Sequence, residues 1–256
     1  MTTIADDEPL AVAVAEAIRA GDLESLARLL DENPDLTTAR IRGRDCDDDQ
    51  GADAGRTLLH VATDWPGNYP NGAATVTALV DAGGDVNAGY LGPESTETPL
   101  HWAASSNDVD VLDALIDAGA DIEAPGAIIG GGSPLADATA FGQWKAARRL
   151  IERGARPTLW HAAALGLIDQ IEAHLASQPP PTPEDITQAF WAACHGAQRE
   201  AAEYLLDRGA DLNWVAVWDG LTPLDAARRS EQDGLDPTEL VAWLVARGAR
   251  SASEVG

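Results

Sequence analysis

A seven-residue phrase returns along the chain: T-L-L-H-V-A-T at 57–63, T-P-L-H-W-A-A at 98–104, S-P-L-A-D-A-T at 133–139 and T-P-L-D-A-A-R at 222–228. A second phrase accompanies it: D-A-G-A-D-I from Asp117, E-R-G-A-R from Glu152, D-R-G-A-D-L from Asp207 and A-R-G-A-R from Ala246. A phrase pair returning at a period of roughly 33–40 residues is the mark of stacked repeats, because one such unit cannot bury its own apolar face. A stack of this kind has no single built-in pocket. Departures from the repeat therefore carry what functional information there is.

Helix chemistry explains each phrase. Thr98 and Thr222 are placed to cap a helix, and Pro99 and Pro223 follow in the first turn, where a missing N–H costs nothing. Ala103 and Ala104 allow a neighbouring helix to come close, and Gly142 or Gly166 then ends the first helix. A second helix follows with apolar residues at helical spacing: Val111, Leu112, Leu115 and Ile116 in one copy, and Ala146, Ala147, Leu150 and Ile151 in the next. Gly119, Gly154, Gly209 and Gly248 stand where a left-handed C-cap would close that second helix.

These phrases resemble the ankyrin repeat of the bacterial type, and the resemblance extends over almost the whole chain. It implies an all-α solenoid of paired antiparallel helices, with hairpin-like loops, terminal caps and shorter inner helices lining a concave face. About seven units are expected, near 9–41, 56–88, 97–124, 132–156, 157–178, 186–213 and 220–250. The corresponding organisation is a capping repeat with an acidic loop over 1–55, central repeats over 56–178, a Pro-rich spacer over 179–185, and closing repeats with a cap over 186–256. For function, the resemblance implies a protein-binding module, an expectation from fold alone. It also implies that His60 and His101 hold the adjoining loop by hydrogen bonds, with Trp160 and Trp191 standing in for that histidine in later copies.

Composition excludes several classes. A net charge of −25 and a single lysine, Lys145, are incompatible with gripping a nucleic-acid backbone; the acidity reads either as a solvated surface that keeps the protein soluble or as the complement of a basic protein partner. No apolar run reaches the roughly 18 residues of a membrane span, and M-T-T-I-A-D-D-E-P lacks a basic leader region, so a cytoplasmic protein is expected. Cys46 and Cys194 are far apart without metal-ligand spacing, so neither a disulfide framework nor a metal site is expected, and nothing calls for a cofactor. The D-C-D-D-D stretch at 45–49 reads as a solvated loop, lacking the Gly and distal Glu of a calcium loop.

The repeat is broken in several places. D-W-P-G-N-Y-P-N at 64–71 inserts an ordered turn carrying Trp65 and Tyr69, either folded over the next repeat or forming a lip on the groove. G-Y-L-G-P-E-S-T-E (89–97), G-A-I-I-G-G-G (126–132) and N-W-V-A-V-W-D-G (213–220) exceed minimal hairpins, and the glycines at 130–132 lack the Lys and Ser/Thr of a phosphate loop. With the copies in register, the position after the family's histidine holds Val61, Trp102, Asp137, His161, Ala192 and Ala226. One turn later stand Asp64, Ser105, Ala140, Ala164, His195 and Arg229.

Packed helices lie about 8–10 Å apart, so Asp64, Trp102, Asp137, His161 and His195 are expected to form one band, walled by Trp65, Phe141 and the Trp214/Trp218 hairpin. Asp137 and His161 read either as an interhelical hydrogen bond or as an acid–base pair in which the carboxylate orients the imidazole. Cys194 reads as buried, its neighbour His195 pointing elsewhere. Two functions follow. One is a module gripping a protein partner in its groove through Asp64, Trp65, Tyr69, Trp102, Ser105, Phe141, Trp218 and Arg229. The other is a small-molecule site or enzyme in the same groove, using Asp137, His161 and His195 for acid–base chemistry. The sequence leaves open whether there is catalysis.

Overall fold

The computed structural model describes residues 2–43, 55–91, 96–128 and 130–255. The acidic stretch at 45–49 and Cys46 lie outside the described residues, as do parts of the 89–97 and 126–132 loops. Helix pairs account for the architecture, and the chain divides into two compact units, Met1–Ala155 and Arg156–Gly256. The division falls inside the segment expected over 56–178.

Among the described residues of the first unit the α-helices come in four pairs: α1 (Pro9–Ala20) with α2 (Leu23–Glu32), α3 (Leu58–Thr63) with α4 (Gly72–Asp81), α5 (Pro99–Ser105) with α6 (Val109–Asp117), and α7 (Pro134–Ala140) with α8 (Trp144–Glu152). First helices pack on first helices in the order α1, α3, α5, α7, and second helices likewise in the order α2, α4, α6, α8. A short parallel pair, β1 (Thr3–Ala5) beside β2 (Arg40–Arg42), adds strand to the helical unit. The second unit holds α9 (Leu159–Leu165) with α10 (Ile168–Leu175), α11 (Pro183–His195) with α12 (Arg199–Leu206), and α13 (Pro223–Arg229) with α14 (Thr238–Ala246), followed by α15 (Ala252–Val255). Here α9 packs on α11, and α11 on α13. Pro183, Glu184 and Asp185 of the expected spacer form the first turn of α11, because Thr182 caps it and Pro183 suits the first helical position.

The phrases act as their chemistry predicts. Thr57, Thr98, Thr158, Thr182 and Thr222 each form a capping box with the residue three positions on. Gly119, Gly154, Gly209 and Gly248 are all left-handed, and each lets the next residue's N–H turn back to close the helix, as Ala120 does to Leu115 O at 2.9 Å. Between copies, Asn87 accepts from Asp121 N at 2.8 Å, and Asn213 accepts from Arg250 N at 2.8 Å. This latch explains the Asn that follows the phrases at 83–85 and 209–211; the copy at 119–121 carries Glu123 there instead. Leu100, Leu112, Leu115, Leu135 and Leu150 are fully buried in the first unit, as are Phe190, Ile171, Leu205 and Leu244 in the second. Burying such a side chain contributes about 1.5–3 kcal/mol, so the core of each unit is this leucine row, built one layer per helix pair.

Candidate functional site

Histidines of the capping boxes are structural bridges. His60 Nδ1 accepts from Thr57 N at 3.3 Å, and its Nε2 donates to the Glu97 carbonyl at 3.0 Å. His101 repeats this with Thr98 N at 3.0 Å and the Gly132 carbonyl at 3.3 Å. His161 belongs to the same class: its Nδ1 accepts from Thr158 N at 3.2 Å. Counted from the capping threonine, His161 and not Trp160 fills the family's histidine position, one residue later than the phrase alignment placed it. Burial lowers the imidazoles of His60 and His161 to about 4 and lowers that of His101, so all three are neutral at pH 7.

In the first unit the inner helices converge on a buried polar centre that sequence reasoning only half anticipated. Asp137, in the first turn of α7, is fully buried, and among the described residues neither carboxyl oxygen makes a hydrogen bond of ordinary geometry. Its neighbour in electrostatic terms is Glu97, itself buried just before α5. Burial, and then the charge of Glu97, push the Asp137 carboxyl up to about 8, so it carries its proton at neutral pH. Glu97 Oε2 accepts the Trp102 indole N–H at 3.2 Å, and the Glu97 carbonyl accepts from Tyr90 N at 2.7 Å as well as from His60. Trp102 stands edge-on to His60 with ring centroids 4.9 Å apart, and Tyr90 lies 5.7 Å from Trp102. No signal in the sequence marked Glu97, since its partner is 40 residues away on another helix.

The remaining candidates of this unit are divided in role. Asp64 is paired with Arg56 at 2.7 Å and Arg19 at 3.6 Å, so its charge is already met. The 64–71 turn is pinned to neighbouring pairs: Asn68 N donates to Asp108 Oδ2 at 2.6 Å, and Asn71 Nδ2 donates to the Gly21 carbonyl at 2.9 Å. Tyr69 is half-buried there, whereas Trp65 is 80% exposed and covers nothing. Ser105 donates back to the Trp102 carbonyl at 3.1 Å, and Phe141 is exposed at the end of α7.

The second unit turns aromatic side chains outward. Trp191 is buried on α11 with its indole N–H on the Leu221 carbonyl at 3.2 Å, in a cluster with Ala216 and Ala226 against which Trp160, Trp214 and Leu221 pack. His195 is buried too, its ring tilted 5.4 Å from Trp191 and 6.4 Å from Trp160. Trp218 meets Trp191 and Trp214 edge-on, each at 5.2 Å. Arg229 lies over Trp191 at 5.8 Å while bonding Asp219 at 3.1 Å. Above this cluster the loop tip is apolar and open: Val215, Val217 and Trp218 are 37%, 89% and 47% exposed. Cys194 is fully buried, and burial raises its thiol well above the usual range.

Asp137 thus belongs to the first unit, and His161 and His195 to the second. Asp137 is fully buried, and His161 Nδ1 is taken by the Thr158 amide. Among the described residues no group of three or more His, Cys, Asp or Glu is placed to hold a metal, and no helix is long and apolar enough to cross a membrane.

A family profile described as ankyrin repeats (3 copies) matches residues 10–126 and 68–161, which together span more than half of the chain. A search of curated proteins found no match.

Proposed function

The chain belongs to the ankyrin repeat family, and on that premise we propose that it is a protein-interaction module whose partner docks on the tryptophan face of its second unit. Ankyrin repeats are generally protein–protein interaction modules, which supplies the class. The observation that supports the location is the tip at 215–218, where Val217 and Trp218 face solvent on top of the packed Trp191 and Trp214. Exposed apolar clusters of this sort cost hydration free energy in the free protein and mark contact surfaces. A half-exposed tryptophan on a fixed aromatic base is also pre-organised: it loses little rotamer freedom on binding, the property that makes tryptophan common among interface hot spots.

The test is photo-crosslinking from a probe at position 217, joined to affinity measurement on the captured partner. The partner should crosslink from 217, and Trp218→Ala should weaken its binding at least about tenfold, the loss of an interface hot spot. Val217→Asp should weaken it further, with far-UV circular dichroism unchanged. Unaltered affinity in both variants overturns the assignment of this face.

A further inference from the structure

A second feature of the same unit lies away from the tip. A cleft of about 450 Å³ is lined by Trp160, Pro179, Pro180, Pro181, Asp185 and Gln188, among others, where the first turns of α9 and α11 meet the proline run. Its walls are stiff, and the three prolines offer carbonyl acceptors without any N–H. A ligand with donors suits such walls better than one with acceptors.

The charges agree. Asp185 Oδ2 accepts from Thr182 N at 2.8 Å and Thr182 Oγ1 at 2.7 Å; the hydroxyl and then the amide hold its carboxyl below the usual range, and it stays ionised. Glu184 is held alongside by Gln188 Nε2 at 3.3 Å. Neither carboxylate is in an ion pair among the described residues, and no Lys or Arg lines the cleft. The amide dipoles at the start of α11 would by themselves favour an anion, but Glu184 and Asp185 in its first turn already offset them. The unit as a whole carries 7 Arg, no Lys and 15 Asp and Glu, a field that draws cations.

Elsewhere the unit sets guanidinium groups against its own indoles. Arg229 lies over Trp191 with Asp219 as its counter-ion, and Arg247 lies 4.2 Å from the Trp243 ring. At Trp160 the chain supplies the indole and the carboxylates, but among the described residues no cation of its own. We infer that this cleft receives an arginine or lysine side chain from a basic segment of the protein partner, the cation lying between the Trp160 indole and the Asp185 carboxylate, with Glu184 adding negative charge from the same first turn. The inference rests on the protein-binding reading and adds to it the chemistry of the partner.

The probe is the peptide acetyl-Gly-Arg-Gly-Arg-Gly-amide, with its citrulline counterpart as the neutral isostere, titrated into full-length protein carrying ¹⁵N-labelled indoles. The Trp160 signal, identified through Trp160→Phe, should move with the arginine peptide and stay still with the citrulline one. Asp185→Asn keeps an oxygen for the Thr182 cap and should weaken the peptide roughly fivefold, the scale of one exposed ion pair beside a cation–π contact. Gln188→Lys, a surface change that leaves the core intact, should abolish the Trp160 shift. A still Trp160 signal at saturating arginine peptide, an equal response to citrulline, or indifference to both variants overturns the inference. A natural partner lost on Val217→Asp but held as tightly by Gln188→Lys sinks the cationic cleft while leaving protein binding at the tip intact. A partner indifferent to Val217→Asp and Trp218→Ala removes the tip assignment instead.

Discussion

The two units use the same helix pair for opposite ends. In the first, the inner helices enclose polarity: Asp137 and Glu97 are buried together, and Trp102 is spent on a hydrogen bond to Glu97. In the second, α9 and α11 meet through Ala162, Ala163, Ala164, Ala192 and Ala193, all fully buried, and the tryptophans stand around that seam with Trp218 reaching solvent. Backbone proximity decides the difference. A Cβ built on Gly196, at the end of α11, would come 1.8 Å from the Ala164 carbonyl oxygen of α9. Helices this close leave no room for any side chain at position 196, and the buried His195 beside it is set against the Trp191 and Trp160 rings. The α5–α7 contact admits the Asp137 side chain and, with it, a proton that must stay bound.

The α9–α11 seam is the point least able to absorb a change. Gly196→Ala should destabilise the protein by about 3 kcal/mol or more, since the added Cβ meets a backbone carbonyl and no flexible side chain can yield. Urea unfolding followed by fluorescence measures it, and parental stability in the variant would mean that the seam is looser than described. Next comes the buried proton. Because the folded-state value of Asp137 is about 8 against 3.8 for the free group, the folded protein holds a proton that the unfolded chain releases between those values. Stability from this group therefore falls as pH rises through that window. Asp137→Asn should match the parent near pH 4 and exceed it by a margin that grows as pH rises, reaching several kcal/mol by about pH 8.5. Neutral His60 and His161 act in the opposite sense between about 4 and 6.5, losing stability as pH falls, and cancel in the comparison of variant with parent. Equal pH profiles for parent and variant would remove the polar centre from the first unit. The smallest expected effect is Trp65→Ala, within about 0.5 kcal/mol by thermal melting, because an indole that is 80% exposed has almost no packing to lose. A larger loss would show that the first unit, too, uses an aromatic lid.

Much of the scaffold was legible because its signals are local. Capping threonines, first-turn prolines and left-handed glycines act within four residues, so the helix pairs follow directly from the phrases. The site was harder to read. T-P-L-H-W at 98–102 and T-L-W-H at 158–161 differ by an exchange of His and Trp, and only the distance from the capping Thr shows that His161 is the structural one. The same count from Thr182 starts α11 inside what composition alone marks as a proline spacer. Glu97 escaped because burial of a pre-helical residue depends on where the next loop settles, and Asp64 stood out because its arginines lie 8 and 45 positions upstream. Non-local pairing of charges leaves no periodic trace.

Cys194 gives the second unit a built-in clock. Its thiol is wholly enclosed on α11, the helix that packs on α9, α12 and α13, and burial keeps it in the unreactive protonated form. Alkylation at this sulfur must therefore wait for α11 to part from its neighbours. In a Cys46→Ser background, the rate of labelling by a thiol reagent becomes a direct count of those openings, taken without denaturant and on the second unit alone.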